Sequence, residues 1–483
     1  MCTLILNILC KTYYFLIFMN KFVLCDEFNL FGNSGQAYAI EIDIGHHHQR
    51  LKVLVDTGST TLAVASYAQG NSKYFHPENS SSIFKSGKQV QAKYSQGRWT
   101  GQLVSDLVHF PSLSLPEVRS EIALITESNN FFVNGSDWQG LLGLAYLPVG
   151  AWGENVVVES WLDSVDRNLN KPMSFLLKLC GVQSSINATH YGTFLLLDNI
   201  AANKNSNQMF QTPILRKRWY EIGVLSVQVM LPQKDTQNVT HDIDRNTCLK
   251  LNKEKSILDS GTTNIKLPDV LFREVIDKIR NAAQSSNIII SDGYWYQGEV
   301  ACWPQPQSWS LPALGVDLLS AEYDNQYFRL EIPAQNYMRL MSAHTRNSSS
   351  DGEMPQFCYK LGLESGGEET VLGYTAMEGL QVLFNRSAGW IGWQESDCGP
   401  KSKITGPYNT SSSLISLCNL SQPVIHAIVP TKYAIWILCG LSVVVSVVFI
   451  YLFASPCKKM FRRLPRTQQI SLSQAALVEQ ETA

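Results

Sequence analysis

Ile40, Ile42 and Ile44 alternate with Ala39, Glu41 and Asp43, the period-two pattern of a strand with one buried face. Residues 45–50 then turn the chain into the apolar run Val53-Leu54-Val55. The same period recurs at Val90, Ala92 and Tyr94. With the turn Ser95-Gln96-Gly97-Arg98 and a return from Trp99, it predicts a long hairpin over residues 89–110. Trp138-Gln139-Gly140-Leu141-Leu142-Gly143 reads as a buried strand punctuated by glycine, and residues 193–197 and 220–229 read as further strands. Helical spacing is sparser. Val157, Trp161, Val165 and Leu169 predict one short amphipathic helix; Leu271, Phe272, Val275, Ile276 and Ile279 predict a second, capped at Asp269 behind Pro268. Many strands and few helices predict a mainly β protein.

One pattern is spelled twice. Val53-Leu54-Val55-Asp56-Thr57-Gly58-Ser59 returns about two hundred residues later as Ile257-Leu258-Asp259-Ser260-Gly261-Thr262. From ordinary residue frequencies such a hexad arises by chance in roughly one chain of this length in several hundred, so two copies are not coincidence. The apolar run can be buried, and glycine tolerates the tight turn that leaves each Asp at the end of a rigid strand. Each half also carries a later apolar run closing on glycine, Leu141-Leu142-Gly143 and Val371-Leu372-Gly373. If the halves are related by an approximate twofold axis, Asp56 and Asp259 meet on it. Two carboxylates a few ångström apart repel by about 4 kcal/mol at an effective dielectric near 20, roughly three pK units between the first and second ionisation. The pair therefore shares one proton, and one member can take a proton from water while the other gives one to a carbonyl oxygen.

Composition narrows the setting. At 483 residues the chain suits two lobes plus appendages, and 39 basic against 41 acidic side chains give no reason to expect a nucleic-acid partner. Residues 433–454 carry no charge, long enough for a transmembrane helix. Lys458, Lys459, Arg462, Arg463 and Arg466 follow it while only Lys432 precedes it, which places residues 455–483 in the cytosol and the bulk of the chain outside. That orientation calls for a signal peptide over residues 1–25, with an uncleaved anchor as the alternative, since Lys11 and Lys21 interrupt the apolar leader. Of 11 cysteines, Cys180, Cys248, Cys302, Cys358, Cys398 and Cys418 fall in the exterior part; in an oxidising compartment they read as three disulfides, with about fifteen possible connectivities. No pair has C-x-x-C spacing, His46-His47-His48 reads as a solvated turn, and no metal or cofactor is expected. Sequons at Asn79, Asn134, Asn187, Asn238, Asn347, Asn385, Asn409 and Asn419 suit a glycosylated ectodomain. Residues 402–432, rich in Ser, Thr and Asn, read as a stalk that includes a disulfide-linked segment at Cys418.

Taken together, these motifs over residues 35–418 resemble the pepsin-like aspartic proteases, and among them the membrane-bound beta-secretases (memapsins). The resemblance implies a bilobal fold with pseudo-twofold symmetry, an N-terminal catalytic lobe over residues 26–185, a C-terminal lobe over 186–401, and the C-terminal transmembrane helix. It implies that Asp56 and Asp259 activate a water for attack on a peptide carbonyl. Ser59 and Thr262 would support the outer carboxylate oxygens, Thr57 and Ser260 would join the two loops, and Gly58 and Gly261 would offer backbone to the substrate. Tyr94, Ser95, Gln96 and Trp99 would form a flap, with Tyr94 bonded to the Trp99 indole; Leu54, Phe131 and Trp138 would line an apolar pocket; Thr263, Asn264 and Lys266 would meet the substrate backbone and side chains. Lys266 stands where beta-secretases typically carry an arginine, and lysine lacks the bidentate fork. The resemblance pairs Cys180 with Cys398, Cys248 with Cys418 and Cys302 with Cys358. The leader leaves little room for a propeptide, and the tail lacks an acidic dileucine signal.

The implied activity is a single-pass type I membrane endopeptidase of Golgi, endosome or cell surface that sheds other type I membrane proteins. A tethered general acidic peptidase of the cathepsin D type is the alternative, and a catalytically silent binding ectodomain is a third reading.

Overall fold

The computed structural model describes residues 28–33, 37–68, 72–95, 97–132, 137–146, 151–153, 156–182, 189–206, 208–230, 242–304, 309–344, 356–421, 438 and 440–446. The chain divides into a compact unit ending at Pro423 and a second beginning at Val424. In the second, Leu438 and residues 440–446 are helical and exposed. No helix among the described residues is long and apolar enough to cross a membrane. The rest of the helix predicted over 433–454, the predicted signal peptide and the predicted cytosolic tail lie outside the described residues.

The repeated hexad builds the same small assembly twice. In the first half, strand Gln49–Asp56 runs parallel to Gly140–Gly143, with Asp56 opposite Gly143, and Gly140–Gly143 runs antiparallel to Leu62–Ala65. In the second, Ser256–Asp259 runs parallel to Thr370–Gly373, with Asp259 opposite Gly373, and that strand runs antiparallel to Ile265–Leu267. Each aspartate thus ends a strand buried on both faces, where a continuous apolar run is what burial selects. The paired glycines are there for room. A Cβ on Gly143 would lie 2.4 Å from backbone atoms of Thr60 and Thr61, and one on Gly373 would lie 2.4 Å from the Asn264 carbonyl oxygen. Because those neighbours are backbone, Gly143→Ala is expected to displace the Asp56 loop, lowering Tm by several degrees and peptidase activity at least about tenfold. An unchanged thermal scan and rate would show that the loop can give way.

A long sheet joins the halves. Strands Leu30–Asn33, Thr189–Asp198, Met173–Val182, Leu380–Asn385, Trp390–Glu395 and Phe210–Pro213 lie side by side in that order. Phe175 stacks on Phe384 at 4.6 Å between ring centroids. Tyr38 donates to Glu378 Oε1 at 2.8 Å, and His190 Nδ1 lies 3.0 Å from the same oxygen. The expected lobe boundary between residues 185 and 186 therefore falls between two strands that pair with each other, and the lobes share one continuous sheet.

Several local expectations shift. The hairpin starts earlier than residue 89, with strands Phe84–Tyr94 and Gly97–His109. The first predicted helix is Trp161–Leu169, capped by Ser160, whose hydroxyl accepts from Asp163 N at 3.0 Å; Val157 lies outside it, in the short exposed strand Val156–Val157. The second is Asp269–Ser285, but Pro268 occupies the cap position, and the Asp269 carboxylate accepts from Gly367 N at 3.0 Å. Residues 403–421 are part of the globular unit and not a stalk. Lys403–Asn409 pairs with Gln326–Ile332, Leu414 and Leu420 are buried, and Cys418 is bonded to Cys248, so apolar burial and a crosslink hold a segment whose polar composition suggested a tether. The other disulfides join Cys180 to Cys398 and Cys302 to Cys358. Among the sequons, Asn79, Asn409 and Asn419 are exposed, whereas Asn385 is buried, its side-chain oxygen accepting from Ala388 N at 3.0 Å, which leaves no room for a glycan.

Candidate active site

The tips of the two aspartate strands meet. A Cβ added to Gly58 would lie 2.7 Å from all three carboxyl atoms of Asp259, and one added to Gly261 would lie 2.4 Å from Asp56 Oδ1. Each loop reaches the other's carboxylate, and the two carboxyls are within hydrogen-bonding reach of one another. Their support is the same on both sides. Gly58 N donates to Asp56 Oδ1 at 2.8 Å and the Ser59 hydroxyl to Asp56 Oδ2 at 2.5 Å; Gly261 N donates to Asp259 Oδ1 at 2.8 Å and the Thr262 hydroxyl to Asp259 Oδ2 at 2.6 Å.

Behind the carboxyls the loops are laced together. Thr57 N donates to Ser260 Oγ at 3.1 Å and Ser260 N to Thr57 Oγ1 at 2.9 Å, while the Thr57 hydroxyl donates to Leu258 O and the Ser260 hydroxyl to Val55 O at 3.0 and 2.7 Å. Four buried bonds related by the pseudo-twofold fix the loop separation, and with it the distance between the acids. The glycine strands brace the loops from outside: Leu144 N donates to Asp56 O at 2.8 Å and Tyr374 N to Thr262 O at 2.9 Å. Tyr220, from the second half, donates to Leu144 O at 2.6 Å.

Symmetry of bonding does not make the two acids equal in environment. Asp56 is 5% exposed and Asp259 is half-buried. Burial, followed by the Asp259 charge, pushes the Asp56 carboxyl well above the ordinary carboxylate range, against the pull of the Ser59 and Gly58 hydrogen bonds.

The hairpin Phe84–Tyr94 and Gly97–His109 carries Tyr94 beside this pair. Its hydroxyl is buried facing Ser59 and the Trp99 indole N–H, yet forms a hydrogen bond with neither; burial and the Asp56 charge push its ionisation up. The indole nitrogen of Trp99 is likewise buried without a partner, and it faces the Tyr94 hydroxyl, its expected partner. Ser95 is exposed and Gln96 lies outside the described residues. Of the three expected pocket residues, Leu54 and Trp138 are buried in the main core, whereas Phe131 is half-buried, 5.4 Å from the Tyr94 ring and 5.7 Å from that of Trp138.

On the far side of Asp259, the loop runs through Thr263, whose carbonyl accepts from the Thr375 hydroxyl at 2.7 Å, to Asn264 and Lys266. Lys266 sits directly across from Glu364 and its ammonium is 2.9 Å from Glu364 Oε1; Asn264 donates to Glu364 Oε2 at 2.8 Å and accepts from Arg339 Nη1 at 2.9 Å. Glu364 and Arg339 escape a sequence reading because each joins the group through strand register and not through any local motif.

Comparison with known proteins agrees with this geometry. The family model described as eukaryotic aspartyl protease matches residues 37–395. The chain is 30% identical over 408 residues to the protein named Beta-secretase from Strongylocentrotus purpuratus, covering 80% of this chain and 72% of that one. It is 27% identical over 195 residues to Pepsin A-5 of Mus musculus and 26% identical over 193 residues to Gastricsin of Callithrix jacchus, in each case over 39% of this chain and 47% of the relative. Matched over most of its length by one family and built around two aspartates on mirrored loops, this chain belongs to the eukaryotic aspartyl proteases and is an aspartic-type endopeptidase.

Proposed function

We propose that Asp56 and Asp259 are the catalytic pair, and that the enzyme is a membrane-anchored, beta-secretase-like sheddase of type I membrane proteins. The observation that carries the first part is the pair itself, two supported carboxyls, with burial and the Asp259 charge favouring the proton on Asp56. Asp259, as carboxylate, takes a proton from a water that attacks the peptide carbon; Asp56 gives its proton to the carbonyl oxygen. In the tetrahedral intermediate the nitrogen takes the proton that Asp259 received from the water, the C–N bond breaks to release the amine and the new carboxyl group, and a hydroxyl proton of the intermediate returns to Asp56, so both acids end as they began. Tyr94 lies over this step and excludes bulk water. Similarity to the sea-urchin beta-secretase and the uncharged stretch at residues 433–454 support the second part.

Incubating the full chain, in mild detergent at about pH 4.5, with intact type I membrane proteins and with denatured soluble proteins tests the role. Cleavage confined to sites near the membrane boundary is expected. Indiscriminate digestion of the denatured proteins would overturn it in favour of a general acidic peptidase.

Lys266, Asn264 and Glu364 set a further expectation. Glu364 offsets the Lys266 charge beside Asp259, so that of the two cations in the group, Lys266 and Arg339, only one is uncompensated there. Glu364→Gln is expected to raise the kcat/KM ratio for acidic over neutral peptide side chains about tenfold, as a single charge pair freed in a half-buried cleft provides about 1–2 kcal/mol. A ratio that stays the same would show that Lys266 does not face substrate.

A further inference from the structure

Asp43 lies on strand Ala39–Ile44 directly across from His109, the last residue of strand Gly97–His109, and from Arg50 on its other side. His48 closes the turn at residues 45–48, donating its N–H to Gly45 O at 2.9 Å with φ of 51°, a left-handed backbone that L-residues other than glycine adopt sparingly. The turn brings its ring to 6.0 Å from that of His109. One oxygen of Asp43 and one nitrogen of each histidine all lie within 4.8 Å of one another. His109 Nδ1 is buried without a hydrogen-bond partner, 3.8 Å from Asp43 Oδ2.

That spacing is too long for a hydrogen bond and close to the spacing of two ligands on one metal. Bonds of about 2.0–2.1 Å in a tetrahedron put donors about 3.3 Å apart, so the cluster needs to close by at most about 1.5 Å. We infer that Asp43, His48 and His109 form a binding site for one divalent transition-metal ion, with zinc the best match. Two imidazoles and a carboxylate are borderline donors of the kind that ion prefers, and three protein ligands leave a fourth position for water or for Glu117, whose Oε1 is 3.5 Å from His48 Nε2.

Arg50 supplies the outer contact. Its Nε and Nη2 hold Asp43 Oδ1 and Oδ2 at 2.9 and 3.0 Å, which fixes the carboxylate plane while each oxygen keeps a second lone pair for a ligand. The positive charge so added is met by Glu41, 3.6 Å from Arg50 Nη1, and by Glu117 beside His48, so a divalent ion enters a group with negative charge in excess. His46 is engaged elsewhere, through Ser81 Oγ at 2.9 Å from its Nδ1. All three histidines do lie in an exposed turn, as expected, but His48 also faces Asp43 and His109, partners from two strands remote in sequence. The site lies at the opposite end of the Gln49–Asp56 strand from the dyad, more than about 20 Å away, so its ion would clip the turn to the end of the hairpin strand and take no part in peptide cleavage.

Titration calorimetry of Zn2+ into the full chain in mild detergent at pH 7.5, with Tm followed in parallel, tests this. One equivalent is expected to bind and to raise Tm. His48→Gln and His109→Gln are each expected to weaken binding at least about 100-fold, and the His46→Gln/His47→Gln double variant to leave it within about threefold. Retained peptide cleavage verifies that each variant is folded; His48, in an exposed turn, is the variant least exposed to failure on that ground. Absence of stoichiometric binding, binding indifferent to both single substitutions, or binding lost with His46 and His47 would overturn the site.

Discussion

Asp259→Asn lowers kcat/KM for peptide cleavage by at least about 10³-fold and, at pH 7, raises Tm relative to the parent chain. The first effect follows because an amide cannot accept the proton that water must lose. The second follows from the sign of the Asp56 shift. A carboxyl whose proton is held more tightly in the folded than in the unfolded state stabilises the fold fully below the ordinary carboxylate range of about 3.9, and that contribution is lost as pH rises through the raised folded value. At neutral pH the fold therefore bears the cost of holding Asp56 buried beside the Asp259 charge. Removing the facing charge relieves part of it, and burial, the larger cause, keeps the rest. Rates from a peptide substrate and thermal scans at pH 4 and pH 7 check both parts; the gain should shrink at pH 4. An Asp259→Asn protein with near-parental activity, or one less stable at pH 7 than at pH 4 relative to the parent, would remove Asp259 from the pair.

The second large effect concerns stability alone. Asp317, fully buried on strand Ala313–Leu319, lies directly across from Arg329 on Gln326–Ile332 and accepts its Nε at 2.6 Å and Nη2 at 2.9 Å. Deleting one partner of such a pair leaves the other charge without compensation at a cost of about 3–5 kcal/mol. Asp317→Asn is expected to lower Tm by about 10 °C, while Asp317→Leu combined with Arg329→Met recovers much of the loss, since an apolar pair of similar volume removes both desolvation penalties. Equal losses in the single and double variants would show that the sheet depends on packing at these positions more than on charge.

The aspartate loops are legible in the sequence because strand, turn and chemistry are all local there: an apolar run, then Asp, hydroxyl and glycine, spelled twice. The bracing glycines are legible for the same reason. Lys266 could be placed from its distance along the chain to Asp259, but not its neutralisation, since Glu364 arrives through a parallel strand pairing nearly a hundred residues downstream. Leu54 and Trp138 are buried in the main core, Trp138 against the half-buried Phe131 ring; an apolar pattern places both inside the lobe and does not by itself distinguish a pocket wall from a core. The stretch beyond residue 402 misleads for a related reason. Its many hydroxyl and amide side chains look like a tether, and only the register with Gln326–Ile332 and the bridge from Cys248 turn it into a folded edge.

That edge has a consequence for release. Every strand and disulfide described in the first unit is complete by residue 421. If residues 433–454 anchor the enzyme as proposed, a cut just downstream of that edge would set free a peptidase with its three bridges and both aspartate loops intact, able to diffuse to targets that a fixed enzyme never meets. Where the molecule acts and what reaction it performs are thus separable, and a single trimming event could change the first without touching the second.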